Sequence, residues 1–310
     1  MKRIFPLLLC LMAVACSTKK EEGTSGGGGD SDKKVRWTDV WLHEGLRWRH
    51  FDGQDPVSGA MQVINVLELN LDRTDLHLSF EYFETKKKLS AVASAAGALA
   101  ATNASFGAPH TFIRTGGTTW CDISVDQTDS NWWKHECAVW YDGVSTLGFL
   151  NYDGKLQEAV EAYRNFGAAN LFSGFPMLIE NGNFSVWDPS SANRKARAAR
   201  EPRTVIALTR DRRLLLITID GRWQGKSEGM TYLEMSHFLK INFAPLHAMN
   251  MDGGGSTAMY IKGRGDSKTH IVNYPCNYSG TGTGATGEGV SYDRTHERAL
   301  PTFFFIKEVK

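Results

Sequence analysis

Residues 203–220, RTVIALTRDRRLLLITID, decide how the chain folds. Two apolar runs, 205–208 and 214–219, flank the polar stretch 209–213, and their β-branched residues predict an antiparallel hairpin. Residues 63–71 and 76–83 repeat the pattern around a polar turn at 72–75 and predict a second hairpin. Residues 303–309 predict a closing strand. The alanine-rich stretch 89–101 predicts a helix. A better-signalled helix follows Thr231, which has Glu234 at capping-box spacing and Leu233, Met235, Phe238 and Leu239 for an apolar face. Hairpins mixed irregularly with a few helices, without a fixed-period repeat, predict an α+β fold: mostly antiparallel sheet with a few packed helices.

The N-terminus has a different composition. Met1, Lys2 and Arg3 precede an apolar run, 4–15, that is too short to span a bilayer and predicts a secretory signal. Ala13, Val14, Ala15 and Cys16 resemble the cleavage and lipidation site of bacterial lipoproteins, which makes 1–16 a signal peptide ending at Cys16, the lipid-bearing residue. An ordinary cleaved signal is the alternative, and either reading takes the mature chain out of the cytoplasm. Residues 17–34 are Lys, Glu, Ser, Asp and Gly, with nothing to build a core, and predict a flexible tether. Residues 35–310 have globular composition without a second polar linker, which predicts a single domain. A net charge of +1 provides no bulk attraction to nucleic acid. Past Cys10 and Cys16, Cys121, Cys137 and Cys276 allow at most one intrachain disulfide, with Cys121 and Cys137 nearest in sequence. Cys121, His135 and Cys137 lack a fourth ligand at a usual zinc spacing.

The sharpest chemical signal is Asn250, Met251, Asp252, Gly253, Gly254, Gly255, Ser256 and Thr257, set between apolar stretches at 246–249 and 258–261. Three glycines leave backbone N–H groups unshielded, as an anion-binding turn requires, and Asp252, Ser256 and Thr257 add a carboxylate and two hydroxyls. The lysine and spacing of a P-loop are missing. A tight glycine turn between strands is the plain structural alternative. Asp220, Gly221 and Arg222 follow the run 214–219; a carboxylate at a strand end can enter a cleft, and Asp220 with Asp252 supplies the pair that glycoside cleavage uses. Pro202, Arg203 and Thr204 offer an arginine whose planar fork suits phosphate. Upstream, Arg194, Lys195, Arg197 and Arg200 read as a solvated charged face. Of the tryptophans, Trp132, Trp133 and Trp223 are contact candidates, whereas Trp120 and Trp140 read as core.

In this order the pieces resemble the phosphodiester glycosidase family over roughly residues 60–309. The resemblance is carried by Asn103 through Phe106, by Gly174 to Leu178 followed by Asn181 and Gly182, and by Arg203 to Ala207. Asp220 with Gly221, the helix region 229–238, Met249 to Thr257 and Arg298 complete it. Ala104 and Ser105 stand where the family has a glycine pair, so the backbone near Asn103 must differ. The resemblance implies hydrolysis of a sugar 1-phosphodiester, of the N-acetylglucosamine 1-phosphodiester kind, releasing sugar and a phosphomonoester. It implies that Arg203, Arg298 and the amides of Gly253, Gly254 and Gly255 hold phosphate. Asp220 and Asp252 then stabilise the oxocarbenium-like centre or activate water, while Asn103, Gly221, Ser256 and Thr257 line the substrate. No cofactor is required; a divalent cation bridging the aspartates and phosphate is compatible with the set, but the carboxylates are too few to demand one. The implied partners are a phosphorylated carbohydrate and, through the lipid on Cys16, a membrane of the cell envelope.

Two other classes compete. A non-catalytic glycan-binding lipoprotein of the envelope would keep the fold without turnover, which the joint presence of Arg203, Asp220 and Asp252 opposes. A serine hydrolase acting through Ser105 lacks the strand-turn-helix context and an evident His and Asp partnership. Gly282, Gly284 and Gly287 match a dinucleotide fingerprint with neither the strand nor the helix it needs, and read as a loop.

Overall fold

The computed structural model describes residues 34–107, 111–123, 132–152, 155–185, 199–277 and 291–309. The leader, Cys16 and the tether up to residue 33, Arg194, Lys195, Arg197, the Trp132 side chain and Gly282, Gly284 and Gly287 lie outside the described residues.

Three antiparallel sheets and three α-helices make up the described fold, which is α+β. The first sheet has eight strands in the order β1 (Thr38–His43), β2 (Leu46–Gln54), β3 (Met61–Asn70), β14 (Arg213–Ile219), β13 (Arg203–Leu208), β15 (His247–Asn250), β11 (Met177–Glu180) and β12 (Asn183–Phe184). The second has five: β7 (Thr118–Cys121), β6 (Ile113–Thr115), β10 (Asn170–Gly174), β8 (Cys137–Tyr141) and β9 (Leu147–Asn151). The third has four: β16 (Met259–Ile261), β5 (Ala100–Asn103), β17 (Ala299–Glu308) and β4 (Leu76–Lys88). The helices are α1 (Leu89–Ala95), α2 (Leu156–Asn165) and α3 (Tyr232–Phe243). Among the described residues no helix is long and apolar enough to cross a membrane.

The hairpin predicted at 203–220 forms as β13 and β14, with Arg203 opposite Ile219 and Leu208 opposite Leu214. The middle of each strand is apolar on both sides because both faces of the sheet are covered. Leu214, Leu216 and Ile206 face a core shared with Phe80, Phe172 and Phe304 of the other two sheets. Leu215, Ile217, Ile219, Val205 and Ala207 alternate to the opposite face, against Met235, Phe238 and Leu239 of α3. That helix starts at the predicted capping box: Glu234 N donates to Thr231 Oγ1 at 3.1 Å, and Thr231 N donates to Glu234 Oε2 at 2.9 Å. The closing strand also forms, as β17.

Two predicted elements differ. Residues 63–71 and 76–83 do not pair with each other: β3 lies between β2 and β14, while β4 pairs with β17 in another sheet. Both flanks of β3 are occupied, so its neighbour in sequence is carried across to a different layer. The predicted helix at 89–101 stops at Ala95; Gly97 takes a left-handed φ of +66°, and the remaining alanines enter β5 between β16 and β17. Ala101 there packs with Tyr260, Phe303 and Phe305, and Ala100 with Phe80 and Phe304 on the other face, so tertiary packing overrides alanine's helix preference.

No disulfide joins Cys121, Cys137 and Cys276 to one another. Cys121 on β7 and Cys137 on β8 are separated by β6 and β10, a lateral gap of about 14 Å at sheet spacing and beyond disulfide reach. The same separation breaks up the Cys121, His135 and Cys137 set. Among the described residues no group of three or more His, Cys, Asp or Glu stands together to hold a metal.

Candidate functional site

The chemistry-bearing residues collect where β5, β13, β14 and β15 end or begin. Asn103 closes β5, Arg203 opens β13, Asp220 follows β14, and Asp252 comes two residues after β15. The Asn103 side chain ties these strands together: its Nδ2 donates to Asp252 O at 2.6 Å, and its Oδ1 accepts from Thr204 Oγ1 at 2.8 Å and Ala258 N at 3.1 Å. Asn103 is fully buried, so it holds the turn with every polar atom engaged by protein.

After Asp252 the chain makes a short 3-10 turn, Gly254–Ser256. Its glycines meet distinct steric demands. Gly254 has φ +58°, which favours glycine, and donates its N–H to Pro202 O at 2.8 Å. A Cβ on Gly253 would sit 2.6 Å from Pro202 O, and one on Gly255 would sit 2.6 Å from Arg298 Nη2. The expected cradle of three free amides is therefore reduced, because Gly254 spends its N–H on Pro202.

Asp252 is partly open to solvent, although protein surrounds it on most sides. That crowding pushes its pKa up to about 6, while the neighbouring Ser256 hydroxyl and the charges of Arg298 and Lys134 pull the other way. Its carboxyl group thus titrates near neutrality, a property suited to proton transfer. Asp220 is sealed, 1% exposed. Its Oδ1 accepts from Asn273 Nδ2 at 2.7 Å and its Oδ2 from Tyr274 N at 2.8 Å; burial, outweighing those bonds, raises its pKa to about 7. Asn273 Nδ2 also donates to Thr257 O at 3.2 Å, placing Asp220 one side chain away from the turn.

Arg203 is buried too. Its Nε donates to Met230 O at 2.8 Å and its Nη2 to Ala199 O at 2.7 Å, with its guanidinium 4.0 Å above the Tyr232 ring. Burial lowers its pKa. From Tyr232 an aromatic chain runs through Phe175 (5.9 Å), Trp133 (4.7 Å) and Phe106 (5.6 Å), and Lys134 lies 5.1 Å from the Phe106 ring. Arg298 donates Nε to Asn277 Oδ1 at 2.8 Å and Nη1 to Ser256 Oγ at 3.4 Å.

Asn103, Asp252, Gly253, Gly254, Gly255, Ser256, Thr257, Arg203 and Arg298 thus belong to one neighbourhood, with Asp220 and Gly221 on its border. Gly221 fits there because a Cβ would meet Pro202 N at 2.7 Å. Sequence reasoning missed Lys134, Tyr232, Glu201 and Asn273, and it assigned Arg222 no role. Only Arg222 carried a signal, being next to Gly221. Two aromatic readings change. Trp223 is 4% exposed and donates Nε1 to Tyr274 O, which removes it as a contact surface, whereas Trp120, read as core, is 46% exposed. The buried Ser105 hydroxyl donates to Ser173 O at 2.7 Å, a structural bond.

Residues 97–306 match the model of the phosphodiester glycosidase family. Among solved structures, the fold is similar to a hypothetical protein from Synechocystis, at TM-score 0.60 and 12% identity over 88% of this chain and 64% of that one. This chain therefore spans less than two thirds of that protein's length. It is similar as well to the catalytic domain of zebrafish N-acetylglucosamine-1-phosphodiester alpha-N-acetylglucosaminidase, auto-inhibited by its pro-peptide, at TM-score 0.56 and 20% identity over 88% of each chain. No curated protein matches the sequence.

Proposed function

The chain belongs to the phosphodiester glycosidase family, and from that premise we propose that it hydrolyses a sugar 1-phosphodiester at the anomeric bond, releasing free sugar and a phosphomonoester. The observation that carries the reading is Asp252: a carboxyl group with a pKa of about 6, reached by solvent and flanked by Arg298 and Lys134. A phosphomonoester is a good leaving group, so the reaction needs stabilisation of charge more than a strong acid. Asp252 sits where it can stabilise an oxocarbenium-like centre or activate water, and the neighbouring cations suit the phosphate. Arg203 and Asp220 act from behind this surface, Arg203 by supporting Tyr232 and Asp220 by fixing Asn273 and, through it, Thr257. Asn103 positions Asp252 through its carbonyl.

The proposal extends to a sugar of the N-acetylglucosamine kind, and to a mature lipoprotein held in the cell envelope through Cys16, with 17–34 as tether and 35–310 as the catalytic domain. The test is to incubate the purified chain with a panel of sugar 1-phosphodiesters and measure free sugar. Release from at least one, with a phosphate-free aryl glycoside cleaved poorly, is the expected result. Equal cleavage of the aryl glycoside would make the protein an ordinary glycosidase, and binding without release would make it a glycan-binding lipoprotein.

A further inference from the structure

The turn Asp220, Gly221 and Arg222 ends with a residue in an uncommon conformation. Arg222 has φ +63°, in the left-handed region that a residue with a Cβ seldom occupies. That conformation returns its side chain over the glycine turn. Arg222 Nη2 lies 3.0 Å from the position a Cβ on Gly254 would take, and Nη1 lies 3.7 Å from it. Arg298 makes the matching approach at the next residue, with Nη2 2.6 Å from the Cβ position of Gly255. Each guanidinium is anchored by its Nε edge to a protein acceptor: Arg222 to Glu201 Oε2 at 2.6 Å, and Arg298 to Asn277 Oδ1 at 2.8 Å. The anchoring turns the terminal nitrogens of both toward the same backbone. The two glycines are what let the guanidinium groups lie this close.

We infer that Arg222 and Arg298 together form the phosphate clamp of this site, each donating to one non-bridging oxygen of the phosphodiester, with Glu201 as the positioning residue for Arg222. The inference rests on the phosphodiester reading and reassigns its anion contact from Arg203. Arg203 already gives Nε and Nη2 to backbone carbonyls and is 5% exposed, whereas the Arg222 side chain is 25% exposed. Planar guanidinium forks suit the tetrahedral oxygens of phosphate, and a dianionic phosphomonoester product gains more from two of them than the monoanionic substrate does.

Inorganic phosphate titrated calorimetrically into the full chain tests the clamp without requiring turnover. Arg222→Ala should weaken phosphate binding about 10- to 100-fold, the loss expected for charge-assisted hydrogen bonds. Arg222→Lys should restore part of that loss, and it keeps the test informative if the alanine variant does not fold. Glu201→Gln should weaken binding by a smaller factor and, where the chain turns over a sugar 1-phosphodiester, raise KM more than it lowers kcat. Unchanged phosphate affinity in folded Arg222→Ala and Arg222→Lys, or no phosphate binding by the wild-type chain at millimolar concentration, overturns the clamp. Arg222-dependent phosphate binding in a chain that cleaves no sugar 1-phosphodiester keeps the clamp and removes the proposed reaction.

Discussion

The two ends of the hairpin formed by β13 and β14 are both rich in polar groups, yet they work in opposite ways. At the turn, Arg212 pairs with Asp72 at 2.7 Å and Arg213 with Asp211 at 2.8 Å, and all four side chains are well exposed. Water can replace Asp72 and Asp211 there, and such exposed pairs are worth about 0–1 kcal/mol; Arg213 in addition reaches the buried Glu68 at 2.8 Å. At the other end, Asn103, Thr204, Asp220, Thr257 and Asn273 are buried at about 1% exposure or less. Each is tied by hydrogen bonds to the next, through Thr204 to Asn103, and through Asp220 to Asn273 and Thr257. Removing one member leaves an unpaired group away from water, which costs about 1–3 kcal/mol. The sealed network spends stability-critical contacts on holding a few groups, chiefly Asp252, in a place that solvent still reaches.

The largest break in that contrast should come from Asp252→Asn. With the network intact the variant should fold as the wild type does, while the rate of sugar release drops about 10²- to 10⁴-fold, the range for a lost general acid or base. In the wild type, if the ionised form of Asp252 is the working one, the rate should rise with pH through a midpoint near 6; a rate independent of pH between 5 and 7 would remove Asp252 from the reaction. Next in size is Asn103→Ala, which strips partners from Thr204 Oγ1, Ala258 N and Asp252 O. Denaturant unfolding should show a loss of about 1–3 kcal/mol or somewhat more, and turnover should fall in the molecules that remain folded. A loss below 0.5 kcal/mol would mean that water takes up the orphaned groups and that the site is not sealed.

The raised pKa of Asp252 also makes the stability of this end depend on pH. Burial raises its pKa above the unfolded value, so its contribution to stability is fully present below about pH 4 and is lost as pH rises through about 6. Melting temperature should therefore fall less between pH 4 and 7 in Asp252→Asn than in the wild type; identical slopes would contradict the raised pKa. The smallest effect belongs to the far turn. Arg212→Ala should change stability by less than about 1 kcal/mol and leave sugar release unchanged, and a larger loss of activity there would show that the two ends are coupled.

Where neighbours in sequence are neighbours in space, residue type was sufficient. The hairpin at 203–220 forms as predicted because its strands are joined by a short polar turn, and α3 starts at Thr231 because its cap is made by Glu234 three residues away. The motif from Asn250 to Thr257 was legible for the same reason, since its glycines, carboxylate and hydroxyls are consecutive. Partner choice at a distance was not legible. The run 76–83 has the alternation of a hairpin strand, but its partner β17 comes from the far end of the chain, and the alanines after Gly97 become a strand only because β16 and β17 flank them. The same limit applied inside the site. Arg203, Arg222 and Arg298 are alike as residue types, and only the folded chain decides that the first is spent on Met230 and Ala199 carbonyls while the other two reach Gly254 and Gly255. A side chain's partners depend on which backbone is packed beside it, and that is set by contacts between segments far apart in the sequence.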